Sequence, residues 1–411
     1  MNLNYNHITR RDFLGKSIVT GVGIAAGLRA MNFGGTAKAA GVPLTTRSQV
    51  AVTYGADHVD NIFRAMQAIK SQIAAKIGNR PVLIKTNHVS GGGTPLADTP
   101  VECVEGILQF LKSIGKTDVT VAEGSIGNPP LLAFQKMGFY NLVKKYPVRF
   151  KSLSEEGYQP MMVWNWNSST IAPAKIVRVS KMLLNPNYFV ISACRPKTHD
   201  RVVATLSLKN IVMGSIIVDA STFNSGGGFS DKSSMHNATG SRTIYGTPTQ
   251  NSYQDLNDTL CMLSKVLAPD MSVIDAYQGM QNQGPISGLP VDPQQAAIAS
   301  LDFLSADRIG VELMNFDQSI LNLNMDGNDS GFSGWKKYPA YLNYCAQCGV
   351  GQYDTSYMDL LGDVTSLSDT NFTKLKSTYA ISTATVNGTA LWMRPTPLTS
   401  PDSIGPDRRP A

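Results

Sequence analysis

The stretch YFVISACRPKTHD, residues 188–200, is mostly apolar as far as Cys194 and then ends in Lys197, Thr198, His199 and Asp200. Its first half predicts a strand buried on both faces, as found in the middle of a parallel sheet. Its polar end sets the question of what a cation, a hydroxyl, an imidazole and a carboxylate do at the tip of such a strand.

Other segments end the same way. PVLIKTNH (81–88) runs from apolar residues into Lys85, Thr86, Asn87 and His88; DVTVAEGS (118–125) ends in Glu123, Gly124 and Ser125; MSVID (271–275) ends in Asp275. Helical patterns lie between them. Residues 60–78 carry Ile62, Phe63, Met66, Ile69, Ile73 and Ile77 on one face, with Asp60 as the expected cap. Thr99-Pro100-Val101-Glu102 reads as a capping box opening the next helix, and further helices are expected over 131–146 and 254–267. Strands are expected at 49–55 and 148–153, and 296–316 reads as a strand followed by a helix. Strands alternating with helices predict an α/β fold: a mainly parallel sheet flanked by helices. Residues 156–180 read as a small β insertion, and 219–253 as a long Gly/Ser-rich loop.

In a parallel sheet the four polar strand ends share one edge, where open α/β sheets bind their ligands. The expected site therefore contains His199, Lys197, Asp200 and Glu123 as catalytic candidates, with His199 as acid/base oriented by Asp200 or Glu123. Lys85, Asn87, Lys209, Asn210, Asp275 and the glycine loop Gly91, Gly92, Gly93 are candidates for holding an anionic ligand, because close backbone approach and a following helix N-terminus favour negative charge. His88, His199 and His236 form an alternative set, three ligands for a divalent metal. His236, in the Gly/Ser-rich loop, is expected to close over the site.

At 411 residues, 42% apolar and 16% charged, the chain can build a sizeable core. No apolar run is long enough to span a membrane, so the mature chain is expected to lack a transmembrane helix. TRRDFLGKS (9–17), a Gly-rich apolar stretch and the small residues of TAKAAG (36–41) resemble a twin-arginine signal peptide over residues 1–39. This implies the twin-arginine export machinery as a partner and a periplasmic or extracellular location. Residues 1–39 hold five basic side chains against Asp12, leaving about +2 of the chain's +6 for the remainder. That balance gives no reason to expect a nucleic-acid partner. Of five cysteines, Cys103 and Cys261 fall in helical patterns, and Cys345 and Cys348 form a lone CxxC open to a local disulfide.

VLIKTN, VAEGS, RPKTHD, TLSLKNIVMGSI, SSMHN, DAYQGMQNQGP and LMNFD, in this order, resemble the domain-of-unknown-function 362 family over about residues 80–350. Lys85, Asn87, Glu123, Lys197, Thr198, His199, Lys209, Asn210, His236 and Asp275 stand at the family's motif positions. Gln281 replaces a residue that is usually acidic there, and Phe303 one that is often proline. The resemblance adds little chemistry, because the family largely lacks an assigned activity. Some members carry four-cysteine ferredoxin-like modules. This chain has one CxxC, so an iron–sulfur cluster bound by this chain alone is not expected. The domains expected are a signal at 1–39, the α/β domain at 45–350, and an extension with a Pro-rich tail at 351–411. The expected function is an exported enzyme binding an anionic small molecule or cofactor, with metal assistance open. The alternative is a non-catalytic cofactor-binding or redox-partner protein using the same pocket.

Overall fold

A computed structural model describes residues 45–89, 91–164, 174–199, 202–219, 230–235, 250–281, 284–286, 288–291, 294–315, 342, 345–346, 348–378, 385–386 and 389–390. The twin-arginine stretch, Asp200 and His236 lie outside them.

The chain begins with β1 (Ser48–Tyr54), α1 (His58–Ala68), α2 (Lys70–Ile77), β2 (Val82–Lys85), α3 (Val101–Ser113), β3 (Val119–Glu123), α4 (Pro130–Lys136) and β4 (Val148–Ser152). A hairpin of β5 (Tyr158–Trp164) and β6 (Ala174–Ser180) follows, then α5 (Lys181–Leu184), β7 (Phe189–Cys194), β8 (Lys197–His199) and β9 (Val203–Thr205). Next come α6 (Ser207–Gly214), α7 (Ser230–Met235), α8 (Gln250–Leu267), β10 (Met271–Ala276), β11 (Met280–Gln281) and β12 (Leu289–Pro290). The last elements used below are β13 (Ala296–Ser300), α9 (Phe303–Leu313), β14 (Met358–Gly362) and α10 (Thr370–Thr378).

Eight strands form one sheet in the order β14-β1-β13-β10-β7-β2-β3-β4. The apolar stretch before the KTH segment is β7, fully buried between β10 and β2 and parallel to both. Only β13 runs against the others in this sheet. The α/β fold with a mainly parallel sheet is therefore the observed one, and β5–β6 is the small β insertion. β14, from the stretch read as an extension, is an edge strand of the same sheet and pairs with β1.

Each face of the sheet has its own core. On one face α1 and α3 bury Ile62, Met66, Ile107 and Phe110 against Val82, Ile84, Ile191 and Val273. On the other, α6, α8 and α9 bury Ile211, Leu260, Leu263 and Ile309 against Leu83, Val190 and Ile274. Each large aliphatic side chain removed from water in this way contributes roughly 1.5–3 kcal/mol.

Local departures from the pattern have visible causes. The 60–78 helix is broken at Ile69, whose φ of −121° leaves the helical range. Its cap is Asp57, which accepts from the Asp60 N–H; Asp60 itself lies in the first turn. The 131–146 segment is a short helix and a 3-10 turn, separated at Gly138 with φ 78°. No helix among the described residues is long and apolar enough to cross a membrane.

Candidate functional site

β2, β3, β7 and β10 end on one edge of the sheet, as their parallel pairing requires. The KTH segment does not simply trail from β7. After Pro196 it forms β8, buried throughout, in a second sheet of order β12-β11-β8-β9 that sits over this edge. Beneath it lies a cavity of about 100 Å³ whose lining includes Lys85, Glu123, His199, Thr205, Lys209 and Lys232.

Lys85 and Glu123 form its floor as a buried ion pair, Nζ to Oε1 2.6 Å, each side chain almost wholly out of water. Glu123 also accepts from the His88 N–H at 2.7 Å, the Gly124 N–H at 2.7 Å and the Thr86 hydroxyl at 3.1 Å. Burial alone would raise its pKa, but the Lys85 charge, His88 and these donors more than offset that and hold the carboxyl below its usual range. A carboxylate so fully bonded is a poor acid/base candidate and a good anchor. The Lys85 ammonium has two further acceptors, the Thr86 carbonyl and Asn210 Oδ1. Gly214, at the end of α6, leaves the space this ammonium occupies: a Cβ there would meet Lys85 Cε at 2.5 Å.

Asn210 is consumed in the same framework, its Nδ2 donating to the Lys85 carbonyl and to Ser192 Oγ at 3.2 and 3.0 Å. Its helix is fixed from the far side. Buried Asp307 on α9 accepts from the Ser207 and Leu208 N–H groups at 2.7 and 2.8 Å, capping α6 and setting Lys209 over the cavity. Burial pushes the Asp307 carboxyl up to about 8, against the pull of those two donors.

Lys197, expected as catalytic, does not line the cavity. Its buried Nζ donates to the Ala97 carbonyl at 2.5 Å and to Asn87 Oδ1 at 3.2 Å, tying the 94–98 loop to the edge. Burial lowers its pKa to about 8. Thr99 is not a helix cap either. Its hydroxyl accepts from the Asn87 N–H and donates to the Ala193 carbonyl, clamping β2 and β7 together, and the cap position of α3 is Pro100, which offers no side-chain hydrogen bond.

The glycine loop also departs from expectation. Gly91, Gly92 and Gly93 do not line the cavity. Gly91 and Gly93 have φ of 65° and 73°, and a Cβ on them would strike the Asn128 carbonyl and the Lys136 side chain. These glycines are required by packing against the 125–136 segment.

His88 lies at the cavity wall with its ring edge-on to Phe134 and Phe139, centroids 5.1 and 5.0 Å away. Burial lowers its pKa, Asp98 and Glu123 opposing. Asp98 is itself buried and accepts from the Val89 and Thr94 N–H groups. His199 lines the same cavity. Among the described residues no group of three His, Cys, Asp or Glu is placed to hold a metal ion.

Asp275 ends its strand on the correct edge but on the opposite face. Pairing aligns Lys85 with Ser192 and Ser192 with Ser272, so those three side chains share a face. Asp275 is three residues beyond Ser272, and an odd offset turns it away. It lies instead 3.6 Å from His58, beside Arg195.

Lys232 was not singled out from the sequence. It sits on α7, within the stretch read as a loop. Arg178 on β6 anchors that helix, Nε donating to Asp231 Oδ2 at 2.8 Å while its Nη groups grip Asp219 at 2.6 and 2.9 Å. Lys232 Nζ reaches the Gly124 carbonyl at 2.8 Å, and burial, with Glu123 opposing, lowers its pKa to about 7. Ser125 Oγ and Thr205 Oγ1 also line the cavity, buried and without a hydrogen-bond partner among the described residues.

The model of one family, the domain of unknown function DUF362, matches residues 82–312, more than half of the chain and every residue that lines this cavity. The chain belongs to the DUF362 family. Within the DUF362 region fall Lys85, Glu123, His199, Lys209 and Lys232. No curated protein matches. A crystal structure of a Thermotoga maritima protein from a structural genomics consortium is similar at 13% identity and a TM-score of 0.38, over 64% of this chain and 60% of that one. The chain thus spans about 60% of that protein's length.

Proposed function

We propose that this DUF362 protein is an enzyme acting on a small anionic molecule held in the cavity under β8. The observation that carries the reading is the charge of the lining: among the described residues, three lysines (Lys85, Lys209, Lys232) against one carboxylate, Glu123, which Lys85 already balances. A lining with three lysines to one carboxylate in a low-dielectric pocket favours an anion. The hydroxyls of Ser125 and Thr205 supply donors with no acceptor among the described residues. Burial brings the Lys232 amine to about 7, so near neutral pH it passes between a charged form that binds an anion and a neutral form that can take a proton or attack a carbonyl carbon. His199 is the second acid/base group. Divalent-metal assistance would draw on His88, His199 and His236, the last outside the described residues. Arg10-Arg11 and the apolar stretch after them support export by the twin-arginine machinery to the periplasm or beyond.

Titration calorimetry with inorganic phosphate and with small mono- and dicarboxylates tests the reading. Lys209→Met and Lys232→Met are expected to weaken binding of the best probe roughly tenfold or more each. Unchanged affinity in both variants refutes the anion site. His199→Ala is expected to keep binding while stopping turnover; a carrier would show the binding alone in wild type.

A further inference from the structure

Arg195 and His58 open onto a second hollow, with Asp275 buried behind His58. On the α1/α3 face of the same sheet edge lies a cleft of about 930 Å³, lined among others by Asp57, His58, Glu102, Arg195 and Tyr277. It shares no lining residue with the cavity under β8. Ile191 and Ala193 belong to this face's core, and Arg195 continues their alternation, which is why its side chain arrives here.

The floor of the cleft is under-bonded. Arg195 is 5% exposed; its Nη1 donates to the Pro95 carbonyl at 2.8 Å, but its buried Nε has no partner among the described residues. Asp275 accepts from the Tyr277 N–H through Oδ1. Its Oδ2 and His58 Nδ1 face each other at 3.6 Å, too far to bond, and both are buried without another partner. The His58 ring meets Tyr277 edge-on, centroids 3.5 Å apart. Pro100, Val101 and Glu102 bring the start of α3, thirteen residues long and uncapped by any side chain, to the wall of the same cleft. The neighbouring start of α1 is different, because Asp57 caps it.

A desolvated guanidinium with an unused donor and an uncapped helix start both favour an oxyanion. An imidazole backed by a buried carboxylate favours a ligand that also offers a hydroxyl or amine proton. We propose that this cleft is a second ligand site, for a small organic oxyanion, carboxylate or phosphate ester, bearing such a group: the anion meets Arg195 and the first turn of α3, and the hydroxyl or amine meets His58. Engagement draws His58 Nδ1 and Asp275 Oδ2 into hydrogen-bond contact. The inference does not rest on the reading of the first cavity.

The test uses the full chain and calorimetry at low salt, with glycolate and glycerol phosphate as the two arms that separate the carboxylate from the phosphate source. Binding that Lys209→Met and Lys232→Met leave unchanged belongs to the cleft. Arg195→Gln is expected to weaken that binding roughly tenfold or more. Glu102→Gln, an exposed change that removes a negative charge from the cleft wall, is expected to tighten it about two- to fivefold. Absence of binding by both probes, or affinity that neither variant changes, overturns the proposal. Should Arg195→Gln fail to fold by circular dichroism, Glu102→Gln decides: no tightening overturns it.

Discussion

Breaking the Lys85–Glu123 pair should unfold the edge of the sheet before it affects any chemistry. Glu123→Gln keeps the size of the side chain but removes the charge that balances a buried ammonium, and puts an amide N–H where a donor already points. Removing one partner of a buried pair costs about 3–5 kcal/mol. Each of the His88 N–H, Gly124 N–H and Thr86 hydroxyl left without its acceptor adds about 1–3 kcal/mol, not additively. Against a typical total of about 5–15 kcal/mol, the expected loss is a large share. Lys85→Met should cost less than Glu123→Gln, because Glu123 retains three donors. The double variant should be more stable than the sum of the single losses implies, with a coupling of about 2 kcal/mol or more. Urea unfolding followed by circular dichroism measures all four proteins. The pair also has a pH signature. Glu123's folded pKa lies below its unfolded value, so its contribution is present above the unfolded pKa and is lost as pH falls through the folded one. Wild type should lose this share on acidification and Glu123→Gln should not. A Glu123→Gln loss under about 1 kcal/mol, or strict additivity in the double variant, refutes the claim that Glu123 is an anchor.

Asp307 is raised to about 8, so its stabilising share is complete below its unfolded pKa and is lost as pH rises through about 8. Asp307→Asn should flatten the fall in wild-type stability between about pH 4 and 8 in denaturant melts. Lys232, at about 7, should react with an amine-directed acylating reagent with a half-maximal rate near pH 7, read by peptide mass spectrometry; a midpoint near that of ordinary lysines would show that its ammonium is not desolvated. Gly214→Ala places a methyl 2.5 Å from Lys85 Cε and should destabilise by about 1–3 kcal/mol in urea unfolding. Thr99→Val removes the clamp between Asn87 and Ala193 and should cost about 1–3 kcal/mol by the same measurement.

The sheet was legible because buried parallel strands announce themselves. Val82–Lys85, Val119–Glu123, Phe189–Cys194 and Met271–Ala276 are apolar runs ended by polar residues, and βαβ rhythm orients them alike. That was enough to bring Lys85, Glu123 and His199 to one edge. It was not enough to choose a face. Which way a side chain points at a strand end depends on register between strands distant in sequence, and one residue of register reverses it. Without that register Asp275 reads as part of the first cavity, and Arg195, which continues the alternation of Ile191 and Ala193, carries no signal of the face it reaches.

The same limit explains the other misplacements, and they share a direction. Lys197, Asn210, Thr99, Gly91 and Gly93 are the residue types that bind ligands, and each is used here to bind the protein itself. Desolvating a polar group costs the same whether a ligand or a backbone carbonyl satisfies it, so a motif cannot by itself distinguish the two uses. Partners do. Glu123 accepts from four donors and Asn210 is bonded at both ends, which makes them framework. Ser125 and Thr205 at the first cavity, and Arg195 Nε and His58 at the cleft, combine an unsatisfied atom among the described residues with a place in the lining of a hollow, where something from outside has bonds left to form. On that criterion the carboxyl edge is built by one set of polar residues and equipped by another, and the second set falls into two hollows on opposite faces of the sheet.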